Sequence, residues 1–223
     1  MNTLYSDLIN DYSELVAQEA DLIKSMASPD NIKLIKKGEA YILKKDEIIV
    51  VLEGFFTVDL MQAPLSGSAQ DDKPFRVGQG IKGMILGLVE AYGPQLPLRY
   101  IAKQKVKIAT FDRVFFEEFF VQRDKFTYLM KVSAFTLAII LDSYSERNFG
   151  NRYHVIRSMI YRYQKQREEG ILPDRSLAGF ILKRTKMSRS YLFKILADLK
   201  SGGYIEIENG KLTAILKELP EKY

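Results

Sequence analysis

The stretch KRTKMSRSYLFKILADLKSGGYIEI, from Lys183 to Ile207, joins a basic segment, a serine, an amphipathic segment and a double glycine. Ser188 suits a helix N-cap, because its hydroxyl can accept a hydrogen bond from a backbone N–H of the first turn. After it, apolar residues at spacings i, i+3, i+4 and i+7 predict a helix with one buried face: Leu192, Ile195, Leu196 and Leu199. Gly202-Gly203 ends this helix.

The opposite face of this predicted helix is polar and cationic. At about 100° per residue it holds Ser190, Lys194 and Ala197, with Tyr191, Phe193 and Asp198 at its flanks. Such a helix can enter a DNA major groove N-terminus first, where Arg and Lys bind guanine edges or phosphates and an aromatic ring contacts a thymine methyl group. We therefore expect DNA contacts from Ser188, Arg189, Ser190, Tyr191, Phe193 and Lys194.

The segments on either side complete a larger pattern. SLAGFILKRTKM (Ser176–Met187) predicts a helix that a tight turn separates from Ser188. YIEIENGKLTAI alternates around Asn209-Gly210, a strong signal for a two-residue β-hairpin. Helix, tight turn, helix and hairpin form a winged helix-turn-helix. Contacts with the DNA backbone are expected from four further basic residues: Arg175, Lys183, Lys186 and Lys211.

The charge is distributed unevenly along the 223 residues, whose net charge is +5. Residues 151–223 carry 15 Lys/Arg and 8 Asp/Glu, a net of +7, whereas the preceding 150 residues carry 18 and 20. A basic C-terminal third is typical of a surface that binds phosphate. The alternative is an ordinary solvated basic surface.

The composition excludes several kinds of chemistry. The chain has no cysteine, which excludes disulfides, thiolate-bound clusters and Cys-type zinc sites. Its single histidine, His154, is too little for a His-rich metal site or a Ser-His-Asp triad, and we expect it on the apolar face of a helix. Adjacent acids such as Glu117-Glu118 do not converge on one substrate. We predict no cofactor, no metal and no enzymatic activity.

The N-terminal two thirds change from helix to strands and back to helix. Leu4, Leu8 and Tyr12 begin an amphipathic helical pattern rather than a signal peptide. Ile32–Leu60 predicts short antiparallel strands, Ala63–Pro74 an exposed loop, and RYIAKQKVKIATF another strand. The most apolar later stretch, Phe135–Leu141, is too short to span a bilayer. A cytoplasmic protein without a membrane partner is expected.

From Val114 onward the pattern becomes helical. One apolar stripe recurs at alternating spacings of four and three, as in a coiled-coil seam: Phe126, Met130, Ser133, Leu137, Ile140 and Tyr144. We predict a long helix over residues 114–149 that pairs with a second subunit through this stripe. The alternative is a plain core helix.

The predicted fold is therefore of the α+β class. It comprises a β-roll domain with an N-terminal helix over residues 1–113, the dimerisation helix over 114–149 and the winged helix-turn-helix domain over 150–223.

In this order of parts the chain resembles the CRP/FNR superfamily of bacterial transcription regulators, over roughly Ile32 to Ile215. LIKKGE and VLEGFFTV look like the early strands of its cyclic-nucleotide-binding-like jelly roll, and RYHVIRSMIYRY like the helix after the dimerisation helix. SRSYLFKILADLKSGGYIEIENGKL looks like the recognition helix and wing. The combination is similar to CRP-like regulators of enteric bacteria. The resemblance implies a homodimer bound to double-stranded DNA.

The sensor part departs from that family's pattern. Cyclic-nucleotide binders carry G-E-x-x-L and then R-x-A, and Met84 follows Gly83 where the resemblance implies the glutamate. Arg99 lies near the arginine position in an unsuitable context. A phosphate buried there would be poorly compensated. We expect no cyclic nucleotide and treat Gly83, Met84 and Arg99 as a vestigial ligand pocket.

The leading hypothesis is a homodimeric, sequence-specific transcription regulator of a pseudo-palindromic operator, with RNA polymerase as a candidate further partner. Ser190 and Lys186 differ from the residues common in the family, so the operator does not follow from the resemblance. The alternative is a sensor of a small ligand whose winged helix binds protein instead of DNA.

Overall fold

The computed structural model of the protein describes residues 4–61, 75–94, 96–121, 123–148, 151–172, 175–185 and 187–223. The chain forms two compact units, Asn10–Ile140 and, separately, Met1–Ile9 with Leu141–Tyr223. Both borders fall inside helices, α1 (Leu4–Gln18) and α5 (Arg123–Asn148). The boundaries expected after residues 113 and 149 follow changes of sequence pattern and remain predictions.

The first unit, Asn10–Ile140, is built on two four-stranded antiparallel sheets. Its strands are β1 (Ile32–Ile35), β2 (Ala40–Tyr41), β3 (Glu47–Glu53), β4 (Phe56–Leu60), β5 (Phe75–Gly80), β6 (Ile85–Leu86), β7 (Leu98–Ala102) and β8 (Val106–Asp112). One sheet has the order β1-β8-β3-β6 and the other β2-β7-β4-β5. In the sequence, helix α2 (Ala20–Ser25) precedes β1 and helix α3 (Leu88–Tyr92) lies between β6 and β7. The predicted α+β class with a β-roll is confirmed.

The core of this unit draws on both sheets. Ile49 and Val51 of β3 cluster with Phe56 and Val58 of β4, because alternate side chains of a strand lie on one face. Polar side chains are also buried in this unit, among them an ion pair between the neighbouring strands β4 and β5. Arg76 donates through Nε and Nη2 to the two carboxylate oxygens of Asp59, in a bidentate arrangement that suits guanidinium and carboxylate groups.

Two tyrosines hold the turn at Lys82 and Gly83. The Tyr12 hydroxyl, from α1, donates to the Lys82 carbonyl at 3.1 Å, and the Tyr128 hydroxyl, from α5, donates to the Gly83 carbonyl at 2.8 Å. Burial raises the pKa of both phenol groups above the ordinary value, so both remain protonated donors at neutral pH. The N-terminal helical pattern therefore forms part of the roll's packing.

The interval 114–149, predicted as one helix, contains all but the first residue of one helix and the whole of the next. The first, α4 (Arg113–Phe120), begins at Asp112, whose carboxylate accepts a hydrogen bond from Phe115 N at 2.8 Å. The second is α5, and Val121 forms the C-cap of α4 before it. An acid at the N-cap fixes the helix start, which the apolar pattern alone does not reveal.

Helix α5 carries apolar residues on two opposite sides. Tyr128 and Val132 are buried in the first unit, whereas the five large apolar residues of the predicted seam, about half a turn around the helix, are exposed and its Ser133 is half-buried. By length and composition, Lys125–Ser145 is long and apolar enough to cross a membrane. This segment of 21 residues is longer than Phe135–Leu141, the apolar stretch that is too short to span a bilayer. One such helix is weak evidence for a membrane span, because a helix with two apolar faces passes the same test.

The second unit has a helical core closed by a hairpin. Its elements are α6 (Arg152–Glu168), α7 (Leu177–Arg184), α8 (Arg189–Ser201), β9 (Ile205–Glu208) and β10 (Lys211–Ile215). The start of α1 belongs to this unit, because the Arg162 guanidinium lies 3.7 Å from the centre of the Tyr5 ring and Gln166 donates to the Tyr5 hydroxyl at 3.0 Å. Arg162 also forms a buried ion pair with Asp142. The sequence pattern predicts instead that the whole N-terminal helix belongs to the roll domain, residues 1–113.

Two local expectations in this unit are corrected. Helix α7 ends at Arg184 rather than Met187, because Thr185 is extended and its hydroxyl donates to the Ile181 carbonyl at 3.0 Å. His154 lies on α6 as expected but is exposed, whereas its neighbours Tyr153 and Val155 fill the apolar face.

Candidate nucleic-acid interface

Helix α8 has the cap and the buried face that the sequence predicts. The Ser188 hydroxyl accepts a hydrogen bond from Tyr191 N at 3.4 Å. The four apolar residues at helical spacing are 5% exposed or less: Leu192, Ile195, Leu196 and Leu199. They belong to one cluster with Phe180 and Ile181 of α7, so the core of the unit fixes the rotation of α8 about its axis.

That rotation leaves the predicted DNA-contacting residues on the surface. Ser188, Arg189, Ser190 and Lys194 are exposed, and Phe193 is 55% exposed although it is large and apolar. No resolved hydrogen bond or ion pair engages the Arg189 or Lys194 side chain among the residues described. The structure thus places these residues together at one end and along one side of α8.

Tyr191 is the exception among the six. It is half-buried against the core, and the Arg152 guanidinium lies 5.9 Å from the centre of its ring. Arg152 is exposed at the start of α6, so it adds a cation beside α8 that the sequence pattern did not single out. Its distance of 39 residues from Tyr191 hides this proximity in the sequence.

Asp198, on the flank of α8, is paired with the chain's last residue. The Tyr223 hydroxyl donates to Asp198 Oδ2, and this hydrogen bond is the main reason that the pKa of Tyr223 rises to about 12. Tyr223 also stacks on Tyr153, with ring centres 5.4 Å apart. The carboxylate on the otherwise cationic side of α8 is therefore already engaged.

The wing forms at the predicted turn. β9 and β10 pair with Glu208 opposite Lys211, and the two turn residues between them have positive φ, 48° at Asn209 and 76° at Gly210. This is the conformation for which Asn-Gly is preferred. The turn is joined to α7, because Leu177 N donates to the Gly210 carbonyl at 2.8 Å.

The four expected backbone contacts are placed differently from one another. Arg175 is half-buried just before α7, and Lys211 is exposed at the start of β10; both border one cleft beside the wing. Lys183 is half-buried in the last turn of α7. Lys186 lies outside the described residues.

The residues proposed as a vestigial ligand pocket do not share a sheet. Gly83 N donates to the Val51 carbonyl and Val51 N to the Met84 carbonyl, which joins both residues to β3. Arg99 lies on β7 in the other sheet, opposite Asp59. Met84 is 3% exposed, and its sulfur accepts a weak hydrogen bond from Ile81 N. Among the residues described, no group of three His, Cys, Asp or Glu side chains could hold a metal ion.

The geometry of α7, α8 and the β9–β10 hairpin, together with a sequence-family match, defines the kind of domain that the second unit contains. Residues 152–221 match a sequence family described as winged helix-turn-helix DNA binding. The unit is therefore a winged helix-turn-helix domain of the DNA-binding kind, as the sequence predicts.

Solved structures resemble the chain over most of its length. A transcriptional regulator of the CRP family from Thermus thermophilus superposes with a TM-score of 0.59 at 15% identity, over 83% of this chain and 92% of its own. A CRP/FNR-family regulator from the same organism superposes with a TM-score of 0.57 at 13% identity, over 81% and 91%. The protein has the fold of the CRP/FNR regulators.

A curated relative is more similar over a shorter part. The "Inhibitor of hydrogen peroxide resistance" of Escherichia coli (strain K12) is 40% identical over 74 residues. These residues are 33% of this chain, and the chain spans about a third of the relative's length (34%).

Proposed function

We propose that the protein is a sequence-specific, DNA-binding transcription regulator that acts as a homodimer. The observation that carries this proposal is the exposed end of α8, where Arg189, Ser190 and Lys194 project from a capped helix whose opposite face is buried. An α-helix of this kind fits the major groove, and Arg and Lys there bind guanine edges or phosphates. The proposal also takes the protein to be cytoplasmic and without enzymatic activity.

Pairing through α5 is the second part of the proposal. Its predicted seam residues Phe126, Met130, Leu137 and Tyr144 are 50% to 59% exposed, and Ile140 is 42% exposed. Five large apolar side chains along one stripe favour burial against a second copy, because the same stripe spacing builds two-stranded coiled coils. A two-fold axis along this helix would present two α8 helices to a pseudo-palindromic operator. RNA polymerase remains a candidate partner of the bound dimer.

Independence from cyclic nucleotides is the third part. In the described part of the first unit, the buried cation is Arg76, and its guanidinium already binds the Asp59 carboxylate. Met84 offers no charge or hydroxyl to a ribose or a phosphate. A cyclic phosphate would therefore lack a buried counter-charge. We expect neither cAMP nor cGMP to shift the thermal unfolding midpoint, and a shift saturating at micromolar nucleotide would contradict this.

The hydrogen peroxide response is where we would look first for regulated genes. The support for this is the identity shared with the Escherichia coli relative, whose name states a role in peroxide resistance. Deleting the gene should change survival after a peroxide challenge, and unchanged survival would remove this part of the proposal.

DNA binding is tested by a gel shift of the full chain against genomic fragments and random duplex at several salt concentrations. Arg189→Gln and Lys194→Gln should each weaken specific binding by about 1–3 kcal/mol, or about 5- to 150-fold, if each contacts a guanine edge. Lys200→Gln removes the same charge from an exposed site in the last turn of α8 and serves as the control. Equal DNA affinities of the unmodified chain and the three variants would favour the alternative, a winged helix that binds protein.

A further inference from the structure

A cleft of about 540 Å³ lies beside the wing, within the second unit. We call it the wing cleft. Its walls come from the end of α6, from Gly170, Leu172 and Arg175 after that helix, and from the wing. The lining residues that bear on its chemistry are Tyr163, Arg167, Arg175, Glu208, Lys211 and Thr213. A cleft of this volume is within the range of small-molecule sites.

Hydrogen bonds fix the wall formed by α6 and the segment after it. The Tyr163 hydroxyl donates to the Arg175 carbonyl at 2.9 Å. Helix α6 ends in a Schellman motif, in which Gly170 N donates to the Arg167 carbonyl and Ile171 N to the Gln166 carbonyl. The helix end and the following segment are thereby held at the cleft edge.

The wing wall is fixed from the same helix. Arg167 Nη1 donates to the Leu212 carbonyl and, at 3.3 Å, to the Thr213 carbonyl. On β10 the side chains alternate, so Lys211 and Thr213 line the cleft while Leu212, 1% exposed, packs in the core. A ligand would therefore enter a preformed site, which lowers the entropy cost of binding.

The charge of the cleft favours an anion. Three of its lining side chains are cations, Arg167, Arg175 and Lys211, against the one acid Glu208 among the described lining residues. Toward the protein atoms that the structure describes, the Arg167 guanidinium donates through Nη1 alone. Its Nε and Nη2 are therefore left for a ligand. A guanidinium held in this way binds phosphate with a favourable geometry.

We propose that the wing cleft is an anion-binding site that takes a phosphate group, contacted by Arg167, Arg175 and Lys211. The phosphate comes either from the backbone of DNA bound at the wing or from a free phosphorylated molecule. The DNA source rests on the proposed function, whereas the free source does not. Arg167 has a second role, because the same guanidinium holds β10.

The test uses the full chain and two double variants. Arg175→Gln with Lys211→Gln removes two cleft charges and leaves Arg167 and its bonds to the wing intact. Lys200→Gln with Lys222→Gln is the control, because both lysines are exposed in the same unit and neither lines the cleft. Titration with inorganic pyrophosphate in a calorimeter measures the free source. Random duplex binding against salt concentration measures the DNA source, and thermal unfolding verifies that both variants are folded.

We expect the cleft variant, Arg175→Gln with Lys211→Gln, to be impaired in pyrophosphate binding, in random duplex binding, or in both. The control, Lys200→Gln with Lys222→Gln, should keep both. A free source predicts pyrophosphate binding at least tenfold weaker than in the unmodified chain. A DNA source predicts that the slope of log K against log salt falls by about 0.9 for each lost phosphate contact. If the cleft variant and the control agree in both measurements, the proposal is overturned. If pyrophosphate binds in the cleft but no duplex binds, the proposed function fails and the site stands.

Discussion

The Ser188 hydroxyl holds the first turn of α8 in place, with Tyr191 N as its donor. Replacing Ser188 with Ala leaves that N–H without a partner and should cost about 1 kcal/mol of unfolding free energy. Ser13→Ala is the matched control, because Ser13 is exposed in the interior of α1, where Ala is the better helix former. Urea unfolding followed by circular dichroism measures both. Equal losses in the two variants would contradict a capping role.

Comparing Gly→Ala substitutions at Gly83 and Gly38 separates the cost of backbone strain from the cost of a packing clash. Both have positive φ, 84° and 86°, but a Cβ at Gly83 would lie 2.6 Å from Val16 Cγ2, whereas a Cβ at Gly38 would have nothing within 4 Å. Gly38→Ala should cost about 1–2 kcal/mol from the left-handed backbone.

Gly83→Ala should cost about 1–3 kcal/mol more than Gly38→Ala, since α1 would have to move away from the turn. Urea unfolding of the two variants gives the difference. Indistinguishable midpoints would mean that α1 is not packed on this turn in solution.

At the scale of the element, α5 has one apolar side buried in its own unit and one exposed. Leu137→Asp places a carboxylate in the middle of the exposed stripe and should convert the proposed dimer to a monomer, as measured by sedimentation. Lys131→Asp places the same group at an exposed position off the stripe and should leave the dimer intact. A dimer that survives Leu137→Asp would assign pairing to another surface.

The sequence predicts elements well where one face meets the core. The period of Leu192, Ile195 and Leu199 defines α8, and Asn209-Gly210 defines the wing turn, because both are local constraints. The break between α4 and α5 escapes such reasoning, because neither a glycine nor a proline marks it and the residues from 121 to 125 read VQRDK. The wing cleft escapes it too, because Arg167 and Lys211 meet only after α6 and β10 have packed.

At the scale of the molecule, a two-fold dimer fixes the spacing of the half-sites. Two α8 helices in successive major grooves would lie about 34 Å apart, or one turn of DNA. Inserting about 5 bp between the half-sites rotates one of them by half a turn. The affinity should then fall to that of a single half-site, whereas inserting a full turn should restore part of it. A gel shift measures the affinity for the original operator, for the operator with the half-turn insertion and for the operator with the full-turn insertion. An affinity that does not depend on the spacing would exclude the two-fold arrangement.

The second unit reaches beyond the segment that matches the winged helix family. Arg162 is 4% exposed, and its carboxylate partner Asp142 lies upstream of residue 150. A fragment of residues 150–223 lacks Asp142 and therefore breaks this ion pair, which should cost up to about 3–5 kcal/mol. A fragment of residues 141–223 retains Asp142 and should unfold at a higher temperature. Equal midpoints would show that water compensates for the lost carboxylate.

The contact between Tyr5 and Gln166 has a consequence for biosynthesis. The two residues are 161 positions apart, so at about 5–20 residues per second the ribosome makes Gln166 roughly 8 to 30 s after Tyr5. During that interval the later part of α1 can dock on the nascent roll, while its first turn has no partner yet. The start of α1 thus reaches its final environment only after α6 has been made, and a chaperone that binds exposed aromatic side chains would find Tyr5 available throughout that interval.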